Sequence, residues 1–510
     1  MTNAAASRLL NKTDVLGVFV IGWLAAMVYR SIWPLIHGRD FDTYVWYYVE
    51  MWQQSPAQPF LMVYRTPLTP VFIGVLSEVG GMLALTVAMN TLYAVAVTAA
   101  YCLGAFWSRA IGWASVAVTI VYVGFGALYR EVSSDVLFGS AFLSWCAWVA
   151  WTHQRSTPAA YVAHAVWVVV LTLIRPASQA YLLFAIFPWV VSMTDARARL
   201  RCAAAFLGTA VGLLGAYSTY NAIRYQDFTV ARGGNAINPF YRAFMTARIV
   251  REGNGPASRE LADAVRADLL VHEPYRSYGV TDQMLFEDGD ARAWSDLLAL
   301  SDRRWGWDSD YAILRRAALE AVAANPAPFV AGVARDMVAM LAIIGYPPPT
   351  VPRPSAPPAS SRPTPPDLPV PTDGQRVPFS YVHWLSSSPT GNINASAQEH
   401  SRARVARIVA TIPANPGKPE TADLLEKAQR LFPPPGVWLL AGVIGTIRLS
   451  GVQRRVFYLL VAMALIAPTA GVVGQALLYH YRLPTDPLFI VFGVAGFWRA
   501  GLGRTFPQVS

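Results

Sequence analysis

The feature that most constrains this chain is how its apolar residues are blocked. They run in stretches of about 17–25 residues, separated by short loops that carry arginine. A helix rises about 1.5 Å per residue, so such a stretch matches the ~30 Å hydrocarbon core of a bilayer. A soluble core would scatter the same residues with a period near 3.6. Composition points the same way. The 510 residues are 54% hydrophobic and only 14% charged, against about 25% charged in an ordinary soluble domain. The expected fold class is therefore an all-α polytopic membrane protein with about ten to eleven transmembrane helices.

Candidate spans fall at about 15–35, 83–107, 110–128, 135–152, 159–174, 178–194, 202–220, 435–449, 455–478 and 484–499. The first follows Arg8 and Lys12, is too long for a signal-peptide core, and is read as a retained span. Short basic loops mark one side: Arg109, His153 with Arg155, Arg197 to Arg201, Arg448 to Arg455, and Arg499 with Arg504. The positive-inside rule puts these loops and both termini in the cytoplasm of an integral plasma (inner) membrane protein. The net charge of +10 then reports topology, and no nucleic-acid motif accompanies it. The three cysteines, Cys102, Cys146 and Cys202, sit in or beside apolar spans, with neither a disulfide framework nor metal-ligand spacing.

Four parts follow. Residues 1–220 form an N-terminal transmembrane module that includes an outer loop at 37–81. Within that loop, 44–52 is aromatic and 67–79 is apolar but short, so both are expected as juxtamembrane helices on the outer surface. Residues 221–346 form an extracytoplasmic segment with a helix at 311–324, ended by Asn325-Pro326. Its last stretch, 328–345, is apolar but holds Arg335 and Asp336. It is read as a surface-lying or partly inserted helix; as a span it would be the eleventh. Residues 347–434 form an outer loop, crowded with proline over 347–378 and helical near 394–412, and 435–510 hold the last spans.

Five short constellations carry ionisable groups, and under this topology all face outward. Gly38-Arg39-Asp40-Phe41-Asp42-Thr43-Tyr44 offers two carboxylates at the membrane surface, fit for a general base or for capping the next helix. Arg65-Thr66-Pro67-Leu68-Thr69-Pro70 puts an arginine before a proline-started helix, where it binds a phosphate or snorkels. Arg130-Glu131-Val132-Ser133-Ser134-Asp135 brings Asp135 to the bilayer edge, where an ionisable side chain is costly or serves as a cap. Leu173-Ile174-Arg175-Pro176 interrupts a long apolar run with one arginine, which grips an anion or ends a span. His480-Tyr481-Arg482-Leu483-Pro484 offers a second phosphate grip or a plain polar turn.

The order of these elements resembles the GT-C class of membrane glycosyltransferases, which use polyprenyl-phosphate sugars and include protein mannosyltransferases, aminoarabinose transferases and arabinosyltransferases. Asp40-Phe41-Asp42-Thr43-Tyr44 is similar to the family's D-x-x-x-Y loop, and Arg65 to Pro70 to its R-x-P-x-x-P stretch. Ser134-Asp135 takes the place of its second-loop acidic residue. Leu173 to Pro176 is like its L-x-R-P turn, and Tyr481 to Pro484 like its late Y-R-L-P turn. The likeness covers the first 220 residues and the last 60. It implies an inverting transfer from a polyprenyl-phosphate-linked sugar to a glycan, lipid or protein acceptor on the extracytoplasmic face. Asp40 or Asp42 would be the base, and Asp135 would orient the acceptor or a metal. Arg65, Arg175, His480, Tyr481 and Arg482 would hold the donor phosphate. A divalent cation, Mg or Mn, is left open by the resemblance. The rival readings are a transporter or flippase of a lipid-linked sugar, for which inverted repeats are expected, and a non-catalytic envelope scaffold.

Overall fold

The computed structural model describes residues 10–53, 56, 59–153, 157–191, 195–273, 275–288, 291–343, 395–413, 420–446, 451–474 and 479–502. Almost all of this is helix. Helix α1 (Lys12–Ile32) leads through a two-residue strand β1 (Ile36–His37) to α2 (Phe41–Glu50), α3 (Pro59–Tyr64) and α4 (Leu68–Ala105). Next come α5 (Arg109–Val121), α6 (Val123–Leu128), strand β2 (Glu131–Val132), α7 (Ser134–Thr152) and α8 (Pro158–Ile174). A 3-10 stretch, Pro176–Ile186, joins α8 to α9 (Phe187–Val191) and α10 (Ala196–Tyr225). A lobe follows, with α11 (Ile237–Tyr241), α12 (Pro256–Ala264), α13 (Asp282–Asp288), α14 (Ala291–Trp305) and α15 (Ala312–Ala324). The chain ends with α16 (Pro326–Ala342), α17 (Ala395–Val409), α18 (Glu420–Gln429), α19 (Pro435–Thr446), α20 (Gly451–Gly474) and α21 (Asp486–Leu502).

Among the described residues four helices are long and apolar enough to cross a membrane: α1, α4, α10 and α20. A fifth crossing would come from the pair around Asn325, bent by 97°. Helices α5, α8 and α19 are apolar but shorter. The outward sides of the long helices are apolar. On α1, Leu16, Leu24 and Val28 are more than half exposed, and on α10 Val211 and Ile223 are too. A contiguous apolar exterior of this kind is stable against lipid rather than water. Over its described part, 178–191, the expected span at 178–194 is not one α-helix. It is the 3-10 stretch followed by α9, because Pro188 has no N–H to continue an α-helical ladder. Residues three apart eclipse in a 3-10 helix, and Phe184 accordingly stacks on Phe187 at 4.4 Å. The expected Pro-rich stretch, 347–378, lies outside the described residues.

The two helices expected in the first outer loop are present. One is α2; the other is the first part of α4, which runs to a break at Gly81 with φ +55° and ψ −140°. That conformation is open to glycine and closed to residues with a Cβ. It turns the short first part of α4 away from the longer part that follows. Helix α4 packs on α1, α5 and α7, α8 on α10, and α19 on α21. At the far end of α1, Asp14 accepts from Arg109 Nε (2.7 Å) and from Tyr101 Oη (2.8 Å), tying three helices together.

The lobe has its own apolar core, with Phe240, Phe244, Leu261, Leu297 and Leu314 buried in it. Arg232 holds its edge. The guanidinium is 1% exposed, pairs with Asp227 and Asp302 at 2.9 Å each, and lies 3.4 Å from the centre of the Trp307 ring. Its backbone N–H donates to Val63 O (2.8 Å), joining the lobe to α3. Helix α16 leaves the lobe and packs on α19 and α20. Asp336 on it pairs with the buried Arg242 of the lobe.

Strands β1 and β2 pair in parallel, Ile36 opposite Glu131 and His37 opposite Val132. This short bridge sets the loop entering α2 beside the loop entering α7. Gly38 makes the approach possible, since a Cβ there would lie 2.6 Å from Val132 O and 2.7 Å from Ser133 Cβ. Gly38→Ala should therefore separate the two loops and destabilise the fold by about 1–3 kcal/mol. Thermal unfolding of the purified variant in detergent measures this, and an unchanged midpoint would show that the bridge tolerates separation.

Candidate functional site

The bridge determines what comes next on each strand. After β1 the chain reaches Asp40, at the start of α2, with φ +61°. Aspartate tolerates this left-handed conformation better than most residues. Its side chain does not cap the helix. The carboxylate turns instead to Arg65, with Oδ2 2.9 Å from Nη2. One turn into α2, the buried Tyr44 donates to Ser134 Oγ (3.1 Å), a contact to the first turn of α7. Arg65 lies over the Tyr64 and Tyr44 rings, at 5.0 and 5.6 Å. The planar cation is thus held by ring faces as well as by charge.

After β2 the chain reaches Asp135, whose side chain is 2% exposed. It pairs with Arg175, the residue that ends α8 in extended conformation. A buried carboxylate needs such a partner. Thr69 Oγ1 at the start of α4 donates to Ile174 O (3.3 Å), bringing the segment after Arg65 to the end of α8. Arg175 also donates to His480 O (3.3 Å) and lies 4.7 Å from the centre of the Tyr481 ring. The ring of His480 closes the circle. Arg39 Nη1 lies 2.8 Å from its Nδ1 and 3.0 Å from its Nε2. Burial, reinforced by Arg175, Arg39 and Arg65, pushes the His480 pKa well below the ordinary imidazole value. The ring is neutral at pH 7 and can accept from Arg39.

One cluster thus gathers Asp40, Asp135, Arg65, Arg175, His480 and Tyr481, six of the residues singled out in the sequence. It adds Arg39, Tyr44 and Tyr64. Arg39 adjoins Asp40 in the same motif, and Tyr44 lies four residues on, one helical turn away. With His480 neutral, three guanidinium groups, Arg39, Arg65 and Arg175, face the two carboxylates Asp40 and Asp135. The carboxylates differ in access: the Asp40 side chain is 32% exposed and the Asp135 side chain 2%.

Two of the expected residues lie elsewhere. Asp42 is half exposed, with Oδ1 3.9 Å from His37 Nδ1. Arg482 is fully buried and committed to other partners. Its Nε sits 3.0 Å from Asp486 Oδ1. Nη1 donates to Met340 O (2.6 Å) and to Ile343 O, the carbonyls that end α16. Unpaired helix-end carbonyls attract a cation, which is why the arginine is drawn there. It holds α16 in place and is not available as a phosphate ligand.

A divalent cation would need several carboxylate or imidazole ligands. Asp40 and Asp135 are each taken by a guanidinium, and among the described residues no three His, Cys, Asp or Glu side chains gather as a metal site. The chemistry that follows is derived from the guanidinium groups.

Arg482→Ala should destabilise the protein by about 3–5 kcal/mol, because it strands the buried Asp486. A denaturation midpoint equal to wild type would show that the pair is dispensable. For His480, the folded-state pKa is depressed, so the unfolded chain takes up a proton first as pH falls. Its contribution to stability is complete above about 6.5 and is lost below it, by at most ~1.4 kcal/mol per pH unit. Melting curves from pH 8 to pH 5 should be steeper in pH for wild type than for His480→Gln. Parallel curves would contradict a neutral, buried ring. Comparison of the chain with family models, with curated proteins and with solved structures gives no match.

Proposed function

We propose that this chain is an inverting glycosyltransferase that moves a sugar from a polyprenyl-phosphate donor to an extracytoplasmic acceptor, a glycan, lipid or protein of the cell envelope. The observation that carries the reading is the cluster itself. A solvent-reachable carboxylate, Asp40, stands among three guanidinium groups, Arg39, Arg65 and Arg175, that outnumber by one the two carboxylates paired with them. A phosphodiester carries one negative charge, and the cluster is built to receive it.

In the proposed step, Asp40 accepts the proton of the acceptor hydroxyl. The hydroxyl oxygen forms a bond to the anomeric carbon from the face opposite the phosphate. The bond between that carbon and the phosphate oxygen breaks, and its electron pair leaves with the polyprenyl phosphate. Charge on the leaving phosphate rises from one to two as this happens. Arg65 and Arg175, fixed beforehand by ring faces and by Asp135, stabilise that rise without having to reorganise. Asp135 acts through Arg175, because its own carboxylate is closed to solvent. The placement of basic residues in the short loops supports the further reading that both termini lie in the cytoplasm and the cluster on the extracytoplasmic side.

The test supplies the purified full chain with a radiolabelled polyprenyl-phosphate sugar and cell-envelope acceptor. Label should move to the acceptor. Asp40→Asn should lower the rate by about 10²–10⁴-fold without loss of folding, while Asp42→Asn should stay near wild type. An active Asp40→Asn enzyme would remove Asp40 as base. In liposomes, labelled donor that changes leaflet without any transfer would identify a flippase instead.

A further inference from the structure

Helix α2 has only ten residues, and Asp40 caps its start. The rotation of the helix about its own axis therefore decides where that carboxylate stands. A turn of about 20° moves a side-chain group ~5 Å from the axis by roughly 2 Å. Two tyrosines one turn apart, on the same face, hold the rotation. Tyr44 is bound to Ser134 of α7, and its backbone N–H donates to Asp40 O (2.9 Å). Tyr48, one turn further on, is held by a different set of partners.

Tyr48 is 6% exposed and turns to the first part of α4. Its ring lies against Gly74, where an added Cβ would come within 2.1 Å of ring atoms. Its hydroxyl donates to Oε2 of Glu78 (2.7 Å), one turn along α4 from Gly74. Arg404 of α17 grips the same carboxylate, Nε to Oε1 at 2.7 Å and Nη2 to Oε2 at 3.0 Å. The Arg404 guanidinium also lies 5.4 Å from the centre of the Tyr48 ring. Tyr48, Glu78 and Arg404 thus form a closed triad across three helices.

This triad is poorly placed to stabilise the fold. The Arg404 and Glu78 side chains are 41% and 34% exposed, and ion pairs within reach of solvent contribute little. What the triad determines is direction. The planar fork of Arg404 favours one orientation of the Glu78 carboxylate, and that orientation sets where the Tyr48 hydroxyl must lie.

We propose that Tyr48 is a positioning residue: held by Glu78 and Arg404, it fixes the rotation of α2 and so places Asp40 against Arg65 for proton transfer. The inference rests on Asp40 being the base. Misplacing a reacting group by about 1 Å can cost ~10²-fold in rate, so the loss of one hydroxyl two turns away registers in kcat.

The experiment measures kcat and donor KM of the full chain with a radiolabelled polyprenyl-phosphate sugar and cell-envelope acceptor, and hydrogen exchange of the α2 amides. Tyr48→Phe, which removes only the hydroxyl, should lower kcat about tenfold with donor KM within about twofold of wild type. Glu78→Ala should do the same, and the double variant should be no worse than either, because both break one contact. Glu78→Gln, which keeps an acceptor for the phenol, should recover most of the rate. Arg404→Gln, a surface change that leaves the buried face of α2 untouched, should cost several-fold. Amides of α2 should exchange faster in Tyr48→Phe at an unchanged melting midpoint. Wild-type kcat and exchange in folded Tyr48→Phe, or a rise in KM alone, would overturn the role of Tyr48. The two failures separate: an inactive Asp40→Asn enzyme beside a fully active Tyr48→Phe enzyme overturns this inference only, whereas a fully active Asp40→Asn enzyme removes the base and this inference with it.

Discussion

A charged side chain taken out of water must meet an opposite charge or a full set of hydrogen bonds, and this requirement organises the molecule. Arg175 meets Asp135, Arg482 meets Asp486, Arg232 meets Asp227 and Asp302, and Arg242 meets Asp336. Apart from Arg482–Asp486 and Arg232–Asp227, these pairs join residues far apart in sequence. The contact between Arg39 and His480 spans 441 positions. Apolar contacts between helices are interchangeable in lipid, where every greasy surface is much like another. Polar pairs are not. They single out one way of assembling the helices, and they draw the start of α2, the start of α7, the end of α8 and the turn before α21 to a common point.

The two carboxylates of the cluster show how environment divides labour between identical groups. Asp135 is sealed and has Arg175 as its partner, so its charge is spent on orienting a cation. Asp40 is one-third exposed and stands at the entrance. A left-handed backbone angle aims it away from the helix it begins. Unusual backbone conformations are costly and are kept where the surroundings enforce them. Here the enforcing contact is the parallel bridge, with Gly38 pressed against Val132.

Much of this was legible in the sequence because charges in apolar surroundings are conspicuous. Asp135 and Arg175 each interrupt hydrophobic stretches, and both reach the cluster. The two short helices after α1 were legible as well, since 44–52 and 67–79 are too aromatic or too short to span. What the sequence left open depends on helix register. Asp40 and Asp42 are two residues apart, and only the onset of α2 at Phe41 places one toward Arg65 and the other toward solvent. Arg482 had a readable clue, a carboxylate four residues later in the same helical turn. Its attraction to the end of α16 is a tertiary contact with no local signature. The apolar run at 178–194 is long enough to span, but a single internal proline, Pro188, divides it.

Helix α17 rests on the segment that follows α1. Arg404 clasps Glu78 through two nitrogens, Tyr48 donates to the same carboxylate, and His37 Nε2 lies 3.0 Å from Val409 O. At the other end, α16 is pinned through its final carbonyls by Arg482, the immediate neighbour of Tyr481. Both moorings thus sit beside residues that carry the charged cluster: Arg482 adjoins Tyr481, and His37 lies two residues before Arg39. A load applied to α16 or to α17 would be felt at the cluster through these contacts, so the two helices are mechanically in series with it.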